Sequence, residues 1–253
     1  TRLAAGTNLP DIIYIPLDPI LYAKDGIIIK LDDLISKYAL TIQKLYEELP
    51  SVKKETMAPD GNIYVLASVV EARNMINFPG FGMRKDWLKK LGLNEPDTIE
   101  DWYNILKTFK EKDPNDNGQA DEIPFLGGIK TLYYFGEAYG LSITEITKGW
   151  AIDENGKVQY HWIHPNLKEF LIEMNKWYKD GLLDPDLLSQ STDKYNARAI
   201  GNIAGAVQQY TMMFPQWNAQ MKENYPEANW GSVIPPKGPW GHRFLEKGMA
   251  TTK

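Results

Sequence analysis

Apolar residues recur along the chain in two rhythms, and each rhythm predicts a different element. In PDTIEDWYNILKTFKEKDPN, Trp102, Ile105, Leu106 and Phe109 fall three and four residues apart, which predicts a helix burying that face. Thr98 stands where a cap is needed and Asp101 follows three residues later in the capping-box place. Asp113-Pro114 ends the helix, because the residue before a proline is pushed out of the α region. A second helix is expected from Asn166, with Leu167, Phe170, Leu171, Met174 and Tyr178 buried and Gly181 at its end. Leu31, Leu34, Ile35 and Tyr38 mark a third. Between the first two, GWAIDENGKVQYHWI reads as a hairpin turning at Asn155-Gly156. LPDIIYI (9–15) reads as a buried parallel-type strand, PDGNIYVLASVV (59–70) as a turn and a strand, and DKYNARAIGNIAGAVQQY as a helix followed by a short strand. GSVIPPKGPWG reads as a crossing or loop segment. Strands alternating with helices argue for α/β layers.

Composition narrows the function. A net charge of -5 without any basic stripe disfavours nucleic acid as a partner. No run approaches the ~18 apolar residues of a membrane span. The chain opens on Thr1, so neither a signal peptide nor a start methionine is present and the chain reads as trimmed. Having no cysteine, this span excludes thiol catalysis, disulfides and cysteine-based zinc sites. The 8 Trp and 14 Tyr suit stacking on sugar rings, although core packing accounts for most aromatics in any chain.

One short stretch, DPNDNGQADE, carries the sharpest chemistry. Counted as a calcium loop, Asp113 takes position 1, Asn115 position 3, Asn117 position 5, Gly118 position 6, Gln119 position 7 and Asp121 position 9. Hard oxygen donors at alternate positions turn inward when the backbone coils around an ion, and glycine permits the coil. Pro124 replaces the bidentate glutamate expected at position 12, which leaves Glu122 as the nearby substitute. The expected ion is a structural calcium, held also by the Gln119 backbone carbonyl. The alternative is an Asx-rich turn that needs no metal. His161 and His164 are expected on opposite faces of a strand, unable to share a zinc, with His242 isolated. No motif of a hydrolase, metalloprotease or nucleotide-binding loop occurs, and no carboxylate pair is marked as an acid and nucleophile.

FGMRKDWLKKLGLNEPDTIEDWYNILKTFKEKDPNDNGQADEIPF resembles the extracellular solute-binding proteins of bacterial ABC transporters, in the family 1 lipoprotein branch that includes alginate-oligosaccharide binders. GTNLPDIIYI, YKDGLLDPDLL and AIGNIAGAVQQY are similar to further segments of that family, so the resemblance covers most of the chain. It implies an α/β fold of the periplasmic-binding-protein type II, with two lobes around a ligand cleft, here truncated at both ends. Lobe I would be residues 1–123, with the calcium loop at its end, lobe II residues 124–233, and residues 234–253 a crossing segment returning to lobe I.

The resemblance also implies a function without catalysis: a lipid-anchored or periplasmic receptor, monomeric, delivering an oligosaccharide to the permease subunits of an ABC importer. Its ligand would bridge both lobes and favour a closed form. By the family's pattern the ligand-binding positions fall on Asp18, Glu71, Arg73, Tyr133, Tyr134, Gln209, Tyr210 and Trp217. The metal positions fall on Asp113, Asn115, Asn117, Gln119, Asp121 and Glu122. A polysaccharide-acting hydrolase or lyase, and a calcium-stabilised adhesion module, are the other two readings.

Overall fold

A computed structural model describes residues 9–13, 19–67, 69, 79–144, 147–153 and 155–243. The chain divides into two compact units, Thr1–Glu71 and Ala72–Lys253. Among the described residues no helix is long and apolar enough to cross a membrane.

The described part of the first unit is helical: α1 (Pro19–Lys24), α2 (Asp32–Tyr38), α3 (Leu40–Glu48) and α4 (Pro50–Thr56). Ile35, Tyr46 and Ile63 form its small core, packed by Leu31, Ala39, Ile42 and Val52. The helix predicted from Leu31 is present, but Leu34 and Tyr38 are exposed and Ile35 carries the burial. The Asp-Gly turn also forms, with Gly61 at φ 82 and Asp60 Oδ1 accepting from the Asn62 N–H at 3.0 Å. Among the described residues of the strand expected after it, the pairing is a single bridge between Met57 and Ile63. Residues 9–13 form no strand either, and Ile12 is 90% exposed, while residues 14 and 15 lie outside the described residues. A strand is stabilised by the ladder it makes with a neighbour, and these segments have no such ladder among the described residues.

The second unit is built on β1 (Pro79–Arg84), β2 (Ile123–Leu126), β5 (Ala204–Tyr210) and β6 (Trp230–Val233), with β3 (Trp150–Ile152) and β4 (Val158–Tyr160) as a separate hairpin. Around them lie α5 (Lys85–Lys90), α6 (Ile99–Glu111), α7 (Ile129–Leu132), α8 (Asn166–Lys179), α9 (Thr192–Ile200) and α10 (Met213–Met221), plus 3-10 turns at Tyr133–Tyr139 and His161–Ile163. The sheet order is β2-β5-β1-β6. β2 and β5 run parallel, with Ile123 opposite Ala204, whereas β1 is antiparallel both to β5, Pro79 opposite Tyr210, and to β6, Arg84 opposite Trp230. Leu126, Tyr210 and Pro79 therefore share one edge of the sheet, and Ile123, Ala204 and Arg84 the other. The segment read as a crossing contributes Gly231–Val233 to β6 and becomes loop only afterwards. The lobe limit expected between 123 and 124 falls within β2, and β1 on its amino side pairs with β5 on its carboxyl side; the compact units divide at Glu71 and Ala72 instead.

Aromatic residues fill both faces of the sheet. On one, Trp102 meets Phe81, Phe125 and Phe135 edge-on or tilted, at centroid distances of 5.2, 6.4 and 5.3 Å, and Phe135 meets Trp177 at 5.1 Å. α8 buries Phe170 and Met174 as predicted, but Trp177 is the third buried residue, while Leu171 and Tyr178 are exposed. On the other face Tyr195, Phe214, Trp217 and Trp230 cluster. A Cβ on Gly82 would come within 2.3 Å of Phe214 Cζ, so the strand passes this cluster only because the position is glycine.

α6 follows its prediction closely. Thr98 Oγ1 accepts from the Asp101 N–H at 3.1 Å while Asp101 Oδ2 accepts from the Thr98 N–H at 2.9 Å, a complete capping box. Thr98→Ala is expected to cost about 1 kcal/mol in urea unfolding. The bond from the Thr98 backbone holds the Asp101 carboxyl below its ordinary range. Its contribution is therefore present above the unfolded Asp value and fades as pH falls through the folded one. The gap between wild type and Asp101→Asn should shrink along the same course.

Candidate functional site

At the carboxyl ends of β2 and β5 a groove of about 430 Å³ is lined by Gly128, Thr131, Gln190, Ser191, Asn196, Gln208 and Gln209, among others. In open α/β sheets this edge is where loops part and leave a crevice. Its floor is rigid. Buried Tyr195 donates its hydroxyl to the Gln208 carbonyl at 3.5 Å, and burial pushes that phenol up. Behind the loop that carries Gln190 and Ser191, Asp184 is 0% exposed and accepts from Arg198 Nη1 at 2.7 Å, from the Asp186 N–H at 2.8 Å and from Gln190 Nε2. Arg198 Nη2 continues to Asp186 Oδ2 at 2.5 Å. Lys194 pairs with the same carboxylate and, with Arg198, holds it below the usual range. Side-chain amides and hydroxyls on a fixed frame both donate and accept hydrogen bonds, which is what sugar hydroxyls require.

Of the residues assigned to ligand from the sequence, Gln209 lines this groove, its Oε1 accepting from the Tyr210 N–H at 2.8 Å. Tyr210 follows it at the strand end, half exposed. Tyr133 and Tyr134 are partly buried against the first core, Tyr133 edge-on to Trp162 at 5.3 Å, and neither lines the groove. Trp217 is 1% exposed and closed in by Tyr195, Phe214 and Trp230, so it presents no face to a ligand in this arrangement. Asp18, Glu71 and Arg73 lie outside the described residues. Sequence reasoning missed Thr131, Gln190, Ser191, Asn196 and Gln208. The pair Gln208-Gln209 at the end of an apolar strand was the one local signal available.

The loop at 113–122 coils as its spacing predicts. Asp113 and Asp116 adopt φ 44 and 56 and Gly118 φ 71, so the chain turns tightly back on itself. Asp113 Oδ1 accepts from the Asn117 N–H at 3.2 Å and its Oδ2 from the Gly118 N–H at 3.0 Å. The amides of Asn115 and Asn117 converge on Asp121 at 3.2 and 3.1 Å. Outside the loop, Asn115 Nδ2 reaches the Asn202 carbonyl at 3.2 Å, just before β5, and Lys90 donates to the Pro114 carbonyl at 2.7 Å. Glu122 Oε1 is buried with no hydrogen-bond partner, and burial, then Asp121 and Asp113, push its carboxyl up. A buried carboxylate oxygen left unpaired beside two other carboxylates is costly unless a cation meets it. The donor set fits calcium on that count, with amide and carbonyl oxygens completing it. Among the described residues no group of three or more His, Cys, Asp or Glu is arranged to hold a metal by itself.

The histidines depart from expectation. His161 opens a 3-10 turn instead of continuing the strand, which brings its ring to 5.1 Å from that of His164, and His242 lines the same pocket. The alternation rule that separated them does not hold once the strand ends at Tyr160.

No protein-family model matches the chain. The fructooligosaccharide ABC transporter substrate-binding protein FusA of Streptococcus pneumoniae is 33% identical to it over 205 residues, 76% of this chain and 38% of FusA. The solved structure of FusA with kestose superposes with a TM-score of 0.75 at 29% identity, over 96% of this chain and 50% of that one. The chain is a homologue of ABC-transporter sugar-binding proteins. The alginate-binding protein AlgQ2, solved without calcium ion, gives a TM-score of 0.74 at 28% identity, over 90% of this chain and 46% of that one. Another FusA structure is of an EF-hand mutant. The fold of this homologue is thus mixed α/β of the type II periplasmic-binding-protein kind. It spans about half the length of the solved relatives that it matches.

Proposed function

We propose that the chain is part of an extracytoplasmic receptor that carries an oligosaccharide to the permease subunits of an ABC importer, working without catalysis, on a lipid anchor or in the periplasm. The observation that carries this is the amide-rich groove at the carboxyl ends of β2 and β5, in a homologue of sugar-binding proteins. Gln209 and Gln190 hydrogen-bond sugar hydroxyls, and Tyr210 covers an apolar ring face. Asp18, Glu71 and Arg73 are further proposed contacts, with Tyr133, Tyr134 and Trp217 as packing support.

Calorimetry of the protein at its natural length against kestose, alginate oligosaccharides and a peptide tests the reading. Saturable binding of a glycan is expected, weakened about tenfold in Gln209→Ala, the equivalent of about 1.4 kcal/mol for lost hydrogen bonding. Affinity for the peptide alone would overturn it. Consumption of the sugar would favour the hydrolase or lyase.

The same proposal places a structural calcium among Asp113, Asn115, Asn117, the Gln119 carbonyl, Asp121 and Glu122. Bound there it supplies charge compensation and geometry, tying the end of α6 to the start of β2. Excess EGTA is expected to lower the melting temperature by several degrees, and Glu122→Gln to blunt that response; an unchanged melting temperature would remove the metal. The pH sign is definite. Because the folded-state pKa of Glu122 is raised, the protonated form favours folding, and metal-free stability falls as pH rises through that range. Calcium favours the ionised form, so melts in its presence should lose this fall.

A further inference from the structure

The chain has three histidines, and all of them line one pocket of about 230 Å³, together with Asp153, Gln159 and Asn166. Its walls come from three places. Gln159 stands opposite Ala151 in the β3–β4 hairpin, His161 and His164 bracket the turn that follows, and His242 lies beside Gly140, where an added Cβ would meet its ring at 3.2 Å.

The hydrogen bonds fix what the rings offer. His161 Nδ1 accepts from the Ser142 N–H at 2.8 Å, and His164 Nδ1 accepts from the Asn166 N–H at 3.2 Å. A neutral imidazole that accepts at Nδ1 carries its proton at Nε2, so both rings hold an N–H donor at the end away from the backbone. Neither has a free lone pair for a metal, since ligation through Nε2 requires that proton to leave or the backbone bond to break. An anion is disfavoured as well. Asp153 is kept ionised, chiefly by the Lys157 backbone N–H and then by Gln159 Nε2 and the Asn155 N–H, and with the rings neutral it gives the pocket negative charge. Asn166 spends its amide N–H on the Tyr139 carbonyl at 2.9 Å, which leaves its Oδ1 as an acceptor.

Two ring donors beside two oxygen acceptors match a ligand whose neighbouring groups each donate and accept. The volume is below the roughly 300–1,000 Å³ of drug-sized ligand pockets, which suits one ring and not a chain. We propose that this pocket binds the vicinal hydroxyls of a single neutral sugar residue, His161 and His164 donating through Nε2 and Asp153 and Asn166 accepting. It shares no residue with the groove at the ends of β2 and β5, and stands or falls apart from it.

The Cε1–H resonances of His161, His164 and His242, assigned through single His→Gln variants, report on this pocket. Titrating the protein with D-fructose or D-glucose is expected to move at least the His161 and His164 signals saturably in the millimolar range. Asp153→Asn should weaken this about tenfold, as befits a hydrogen bond to a charged group. His164→Gln, which retains a donor, should weaken it less. Gln209→Ala should leave the shifts unchanged. Histidine signals that stay still under both sugars overturn the proposal, as do signals that saturate with zinc chloride or sodium phosphate but not with sugar. So does a sugar response that disappears in Gln209→Ala.

Discussion

Replacing Arg198 with methionine is expected to destabilise the unit that holds the sheet by about 3–5 kcal/mol, because the change strands a buried charge. Asp184 is 0% exposed and its carboxylate is balanced by Arg198 at 2.7 Å; without the guanidinium, Gln190 and one backbone N–H must carry a full negative charge in the interior. Methionine fills most of the space, so the loss reports charge rather than a cavity. Removing both partners in Asp184→Leu/Arg198→Met should recover much of the stability while Gln190 loses its anchor. Urea midpoints measure the first effect, and glycan affinity the second. A single-variant loss below about 1 kcal/mol would mean that water reaches Asp184 and that the groove wall is softer than its hydrogen bonds imply.

Trp102→Ala carries the other large effect, about 3–5 kcal/mol. The indole is fully buried and touches Phe81 on β1, Phe125 on β2 and Phe135 on the following 3-10 turn, so its loss opens a void between three elements at once. Trp102→Phe should keep a good part of that stability. It shortens the ring but also removes an indole N–H that is buried without a partner, and leaving such a donor unsatisfied costs about 1–3 kcal/mol. If alanine and phenylalanine were equally harmful in denaturant unfolding, ring contact would not be what Trp102 contributes.

Some of this molecule was legible in the sequence because local chemistry decided it. α6 announced itself by a cap, a box and a stripe, and the tight turn at 113–122 by its Asp and Asn residues around Gly118. The hairpin was written in Asn155-Gly156. Where two stripes competed the reading slipped: on α8, Leu171 and Tyr178 looked as suitable for the interior as Trp177, and only the position of Phe135 settles the choice. The described residues 9–13 and 63–67 come from segments of strand composition, but composition supplies no neighbour to pair with. The groove was hidden for a different reason. Thr131, Gln190 and Gln208 come from three distant segments, and nothing in their local sequence says that a parallel ladder between β2 and β5 will bring them together. The histidines were misjudged through one local error, a strand continued to His164 when it ends at Tyr160.

The order β2-β5-β1-β6 has a consequence for how the protein is made. Among the described residues β1 pairs with β5 and β6, and β2 with β5 and, at Phe125, with Leu183, so β1 meets neither of its partners until Ala204–Tyr210 has left the ribosome. Until then Pro79–Arg84 waits without those strands beside it, a long-range closure of the kind that folds slowly. Closure of the sheet is therefore a late event, set by the arrival of β5 rather than by the strands that precede it.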